Sequence, residues 1–125
     1  MDTDPSPVDD PGAAAVEQLE AFGLSAYAAR TFVALVGLGT GTAKDVSRVS
    51  EVPRTRVYDA VDELHEYGLV DVQQSSPKEF WPISAETAGG KFERKMDYRT
   101  SVLRTALDEL EPAQRSEEQR GVWTV

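Results

Sequence analysis

Cysteine is absent from this 125-residue chain. A disulfide framework, a thiolate metal site and a cysteine nucleophile are therefore excluded together. Histidine occurs once, at position 65, so no histidine cluster can form, and neither a metal nor another cofactor is expected. Long apolar runs are missing too. The longest, "FVALVGLG", falls far short of the roughly 20 residues that a membrane-spanning helix needs. The opening "MDTDPSPVDDPG" is acidic and proline-rich, unlike a signal peptide or a lipidation motif. A cytoplasmic protein with no membrane partner is expected, and a hydrophobic fraction of 40% suffices for a modest core.

Positive charge is also scarce: 13 Lys and Arg stand against 22 Asp and Glu, a net charge of -9. Its placement is uneven. Residues 1–23 carry six acids and no base, whereas residues 24–58 carry five bases against two acids, a local +3. Residues 59–83 return to -5, with six acids and Lys78, and residues 84–125 to -1, with eight acids and seven bases. One positive window in an acidic protein marks a candidate contact for an anion. Arginine outnumbers lysine nine to four. With the excess of acids, that balance resembles the halophilic kind, in which surface carboxylates hold water and cations at high internal salt; an ordinary acidic protein is the alternative reading.

Four helices, a hairpin and a long helix are expected along the chain. Residues 1–12 read as a disordered acidic tail, because Pro5, Pro7, Pro11 and Gly12 oppose a helix. A first helix is expected over residues 13–22, with Val16, Leu19 and Phe22 inward and Gly23 as its stop. Ser25 suits the N-cap of a second, reaching residue 36, with Tyr27, Ala28, Thr31, Phe32, Leu35 and Val36 on its inner face. Thr42 and Asp45 form a T-x-x-D capping box for a short third helix, with Ala43, Val46 and Val49 inward. After a tight turn, Pro53 suits the start of a fourth helix, which runs to residue 67 on a stripe of Val57, Ala60, Val61 and Leu64. "LVDVQQ" and "KEFWPI", separated by "SSP", alternate like half-buried strands. From residue 85 to 111 the pattern is helical again, softened by Gly89 and Gly90. It carries a seam of Phe92, Met96, Arg99, Leu103, Ala106 and Leu110 at heptad steps. Residues 113–125 read as a loose tail.

A short helix, a tight turn, a longer helix and a hairpin make a winged helix-turn-helix. The fold class is thus mainly α with a small β-hairpin, in a domain over residues 13–84, plus a long C-terminal dimerisation helix over residues 85–112. A B-form major groove admits one α-helix, and its base edges match arginine and hydroxyl side chains. Here the helix that would enter it presents Arg54, Thr55 and Arg56 in its first turn. The two arginines can bind guanine edges or clamp phosphates, Thr55 can reach either, and Tyr58 lies on the same side as Arg54 and Thr55. Thr42, Lys44 and Arg48 are candidate phosphate contacts from the preceding helix. Lys78 and the Gln73–Gln74–Ser75–Ser76 tip would be the wing's share. Asp59 reads as a solvated residue, a partner of the arginines, or an acceptor from cytosine. Asp62, Glu63 and Glu66 read as solvent-facing, and Tyr67 and Trp81 as core.

The pieces "GLSAYAAR", "TAKDVS", "VPRTRVYDAVDELHEYGLV" and "SPKEFWPI" follow one another in unbroken order over residues 17–84. This stretch closely resembles the amino-terminal domain of the TrmB family of archaeal sugar-responsive transcriptional regulators. The resemblance implies a sequence-specific regulator that binds double-stranded DNA as a homodimer, with the helix from Pro53 as its recognition helix. Longer members carry a carboxy-terminal sugar-binding domain. This chain ends at "GVWTV", so a sugar effector is not expected for it. Two other readings compete. A winged-helix adaptor would bind protein in place of DNA, since one fold serves many functions. An enzyme is not expected, for want of a phosphate-binding glycine loop, a metal-ligand cluster or a nucleophile–base pair.

Overall fold

The computed structural model describes residues 9–110 and residue 112. Residues 1–8 of the acidic tail expected over 1–12, and the expected tail 113–125, therefore lie outside the described residues, while Pro11 and Gly12, expected in the tail, belong to a helix. The helices are α1 (Pro11–Ala21), α2 (Ala26–Leu38), α3 (Ala43–Ser50), α4 (Arg54–Glu66) and α5 (Ala85–Glu109), with strands β1 (Val70–Gln73) and β2 (Glu79–Pro82) between α4 and α5. The chain divides into two compact units, Met1–Ala88 and Gly89–Val125.

Local chemistry explains most of the boundaries. Helix α1 starts at Pro11, two residues before the expected start. Proline at the first helical position forfeits only an amide that would have no partner there, and the Asp10 carboxylate accepts the Ala13 N–H at 3.1 Å. Ser25 caps α2 by accepting the Ala28 N–H at 3.1 Å. The Thr42 hydroxyl accepts the Asp45 N–H at 3.2 Å, while the Asp45 carboxylate accepts the Thr42 N–H at 3.0 Å, which completes the expected box on α3. That hydrogen bond from the Thr42 amide is the main cause holding the Asp45 carboxyl below the usual carboxylate range; the Thr42 hydroxyl and Arg48 add to it.

Helices α1 to α4 and the hairpin share one core, in which Phe32, Leu35, Val46, Val57, Leu64, Leu69 and Phe80 are buried. Several expected inner residues lie outside it. Phe22, Tyr27, Val36 and Val49 are exposed, because each apolar stripe runs past the surface that its neighbour covers. Trp81, expected in the core, is 43% exposed: on β2 the inward position belongs to Phe80, and the next residue must point to the other face. The strands pair antiparallel, Val70 opposite Pro82 and Val72 opposite Phe80.

Phe80 also ties the hairpin to the body. Its N–H donates to the Gly41 carbonyl at 2.8 Å, and its carbonyl accepts the Gly41 N–H at 3.2 Å and the Thr40 hydroxyl at 3.0 Å. Glycine suits position 41: a methyl group there would lie 3.2 Å from both Asp45 Cβ and Leu38 Cδ1. The arrangement is a winged helix-turn-helix. From Glu93 to Glu109 every residue of α5 is exposed, as is Leu110 just after it.

Candidate nucleic-acid interface

The side chains that could meet an anion are set by the turn between α3 and α4. Glu51 caps α3 in the left-handed region (φ 64°), its N–H donating to the Ser47 carbonyl at 3.1 Å. The Ser47 hydroxyl donates to the Val52 carbonyl at 2.7 Å, and the Arg30 guanidinium reaches the Ser50 carbonyl at 3.4 Å. Arg30, one of the bases in the positive window, is thereby turned inward to this bend and stacks over Tyr27 at 5.6 Å. Val52 is fully buried, which anchors the turn and delivers Pro53 to the start of α4.

Helix α4 begins differently from the helices before it. Asp10, Ser25 and Thr42 cap α1, α2 and α3 through their side chains, whereas α4 has no side-chain cap. Its opening residues Arg54, Thr55 and Arg56 are all exposed. The partial positive charge of a helix start and two guanidinium groups thus share one surface, an arrangement unfavourable by itself and relieved by a bound anion. Arg56 lies 4.0 Å from the Asp59 carboxylate, an exposed pair of little strength. Among the described residues, Arg54, Lys44 and Lys78 have no salt-bridge partner. Arg48 lies 3.4 Å from Asp45. Thr42 is engaged as a cap.

The wing stands beside this surface. A cleft of about 230 Å³ separates α4 from the hairpin, with Tyr58, Asp62 and His65 along the helix and Gln74 and Lys78 along the hairpin. Buried Val61 and Phe80 also line it, and the Tyr58 ring meets Phe80 edge-on at 6.4 Å. The structure therefore brings Tyr58 and Lys78 to one cleft and places Arg54, Thr55 and Arg56 at the start of the helix that borders it. Asp59, Asp62 and Glu66 are exposed, but Glu63, expected to face solvent, is not free. Its carboxylate accepts the Ser25 N–H at 2.9 Å and the Ser25 hydroxyl at 2.8 Å. A tie across 38 residues leaves no mark in local spacing.

Met96 and Leu103 on α5 and Leu110 just after it are between 50% and 68% exposed, and Arg99 and Ala106 are exposed with them. Phe92 is 7% exposed. Leu107, outside the expected seam, is 56% exposed; it lies one helical turn after Leu103, so the apolar stripe is wider than a strict heptad count gives. Among the described residues, no group of three or more metal-ligating side chains occurs, and no helix is long and apolar enough to cross a membrane.

The sequence pattern of the family described as the sugar-specific transcriptional regulator TrmB matches residues 19–86. The chain is 31% identical over 110 residues to TrmBL1 of Pyrococcus furiosus, an HTH-type sugar-sensing transcriptional regulator, covering 88% of this chain and 32% of that protein. It is 33% identical over 100 residues to TrmBL2 of Thermococcus kodakarensis, a DNA-binding HTH-type transcriptional repressor, covering 80% of this chain and 36% of that protein. The chain thus spans about a third of the length of these relatives. A solved structure of TrmBL2, an archaeal chromatin protein with a novel mode of DNA binding, superposes with a TM-score of 0.72 at 30% identity over 78% of this chain and 39% of that one. A possible transcriptional regulator from Methanosarcina mazei shares the fold, with a TM-score of 0.65 at 13% identity over 90% of this chain and 97% of that one.

Proposed function

The chain belongs to the TrmB family of sugar-specific transcriptional regulators, and from that premise we propose that it is a cytoplasmic, sequence-specific regulator that binds double-stranded DNA as a homodimer. The observation that carries the reading is the start of α4, where Arg54, Thr55 and Arg56 are exposed on a helix with no side-chain cap. Helix α4 enters the major groove by this end, and Arg54 and Arg56 bind guanine edges or flanking phosphates. Thr55 and Tyr58 complete the groove-facing set. Lys44 and Arg48 on α3 hold the backbone beside it, with the amino end of α3 at Thr42, and Lys78 reaches the flank from the wing.

Two copies join along α5 and Leu110 just after it, through Met96, Arg99, Leu103, Ala106 and Leu110, with Leu107 extending the stripe; Phe92, expected in the seam, is already buried in the single chain and leaves little surface for a partner. Support comes from the exposure of Met96, Leu103, Leu107 and Leu110 in the single chain, since apolar side chains in such a row favour burial. A two-fold pair reads two half-sites on one face of the duplex, about one helical turn apart. The relatives' roles in repression and sugar sensing belong to proteins between two and three times as long, and no effector is proposed for this chain.

Selection of bound duplexes from a random-sequence pool by the purified chain tests the reading. An enriched motif with two-fold symmetry supports it. Recovery of no preferred sequence, with retention of a protein partner instead, favours the adaptor.

A further inference from the structure

Helix α2 carries half of a capping box. Ser25, its N-cap, accepts the Ala28 N–H, but the reciprocal acceptor for the Ser25 N–H normally comes from the side chain three residues on. That position holds Ala28, which is fully buried and has no room for a carboxylate. The missing half comes from α4: one Glu63 oxygen accepts the Ser25 N–H at 2.9 Å and the other the Ser25 hydroxyl at 2.8 Å. With no acid in the first turn of α2, the same carboxylate also supplies the negative charge that a helix start favours. Both oxygens of one side chain are thus held by one residue of a neighbouring helix, which fixes rotation as well as distance.

We infer that Glu63 is a positioning residue for DNA reading, completing the cap of α2 from α4 and thereby fixing the angle at which α4 presents its first turn. The inference rests on the DNA-binding reading above. Arg54 lies nine residues before Glu63, about 14 Å along the helix at 1.5 Å per residue. Over that arm a tilt of about 5° moves the first turn by about 1 Å, enough to spoil bidentate bonds to a base edge, whose lengths vary by only a few tenths of an ångström. Phosphate attraction tolerates such a shift, because it falls slowly with distance. Loss of the tie therefore lowers sequence preference more than it lowers attraction to DNA in general.

The test compares Glu63→Ala with Glu63→Gln. Both remove the same charge, but only glutamine keeps an acceptor for Ser25. Affinity is measured for the duplex recovered by selection and for a scrambled duplex of equal length and composition. The ratio of the two affinities should fall about tenfold in Glu63→Ala, the fall expected for losing the hydrogen bonds to Ser25, and stay within about twofold of wild type in Glu63→Gln. Should Glu63→Ala not remain folded by circular dichroism, Ser25→Gly serves in its place, since glycine is tolerated as a cap and deletes one of the two bonds. Equal ratios in the alanine and glutamine variants, whether both unchanged or both reduced, overturn the inference. A wild-type chain with no preference between the duplexes overturns the DNA-binding reading itself, and is told apart because it appears before any substitution.

Discussion

Replacing Phe80 by alanine should nearly unfold the winged domain while leaving the hairpin's backbone bonds available. The ring is 1% exposed and meets Tyr58 of α4 edge-on at 6.4 Å, so it joins β2 to the helix that bears the arginines. Burying such a side chain is worth about 1.5–3 kcal/mol by transfer, and the cavity left behind brings measured Phe→Ala costs to about 3–5 kcal/mol. A loss of about 4 kcal/mol is a large part of the roughly 5–15 kcal/mol that holds a domain together. Urea unfolding followed by circular dichroism reads this directly. With a slope of about 1.5–2 kcal/mol per molar, the midpoint should fall by about 2–3 M at unchanged slope. Phe80→Leu, which keeps most of the apolar volume, should cost about 1.5 kcal/mol or less. A loss below about 1.5 kcal/mol for the alanine variant would show that the ring does not anchor the wing. The placement of Lys78 beside α4 would then lose its basis.

Other expectations are independent of that one. Thr31 is fully buried and its hydroxyl has no hydrogen-bond partner, so Thr31→Val should leave stability unchanged or raise it by about 1 kcal/mol, read by the same unfolding experiment. The depressed Asp45 carboxyl means that its contribution to folding is fully present above the ordinary carboxylate value and lost as the pH falls through the lowered one. Asp45→Asn should therefore lower the melting temperature at pH 7 and narrow the gap from wild type below about pH 4. Leu103→Asp should convert the proposed homodimer to monomer in sedimentation equilibrium. Two leucines per dimer, each worth about 1.5–3 kcal/mol when buried, imply a weakening of a hundredfold or more. An unchanged mass would refute the α5 interface.

Helices α2, α3 and α4 were legible in the sequence because their signals are local. Ser25, the Thr42–Asp45 box, Pro53 and Gly68 act within a turn of where they stand, and the stripe Val57–Ala60–Val61–Leu64 repeats at the helical period. The hairpin was legible from alternation. What escaped depends on partners distant in the chain. The Glu63–Ser25 tie, the Phe80–Gly41 bridge and the inward turn of Arg30 involve residues 20 to 39 positions apart. Trp81 escaped for a related reason, since size and apolarity favour burial but the strand's two-residue period gave the inner position to Phe80. Glu51 gave no signal at all: a left-handed cap usually carries glycine or asparagine, and here the turn imposes it on glutamate. The arginines of α4 were legible because exposure at an uncapped helix start follows from their own neighbours.

The central claim is that Arg54 and Arg56 draw DNA to a chain of net charge -9. Its most direct test is the affinity of wild type and of the double variant Arg54→Ala, Arg56→Ala for the selected duplex, at one fixed salt concentration. Losing two contacts of about 1–3 kcal/mol each predicts a fall of at least thirtyfold in each half-site's contribution, with the fold intact by circular dichroism. An affinity within about twofold of wild type would contradict the account.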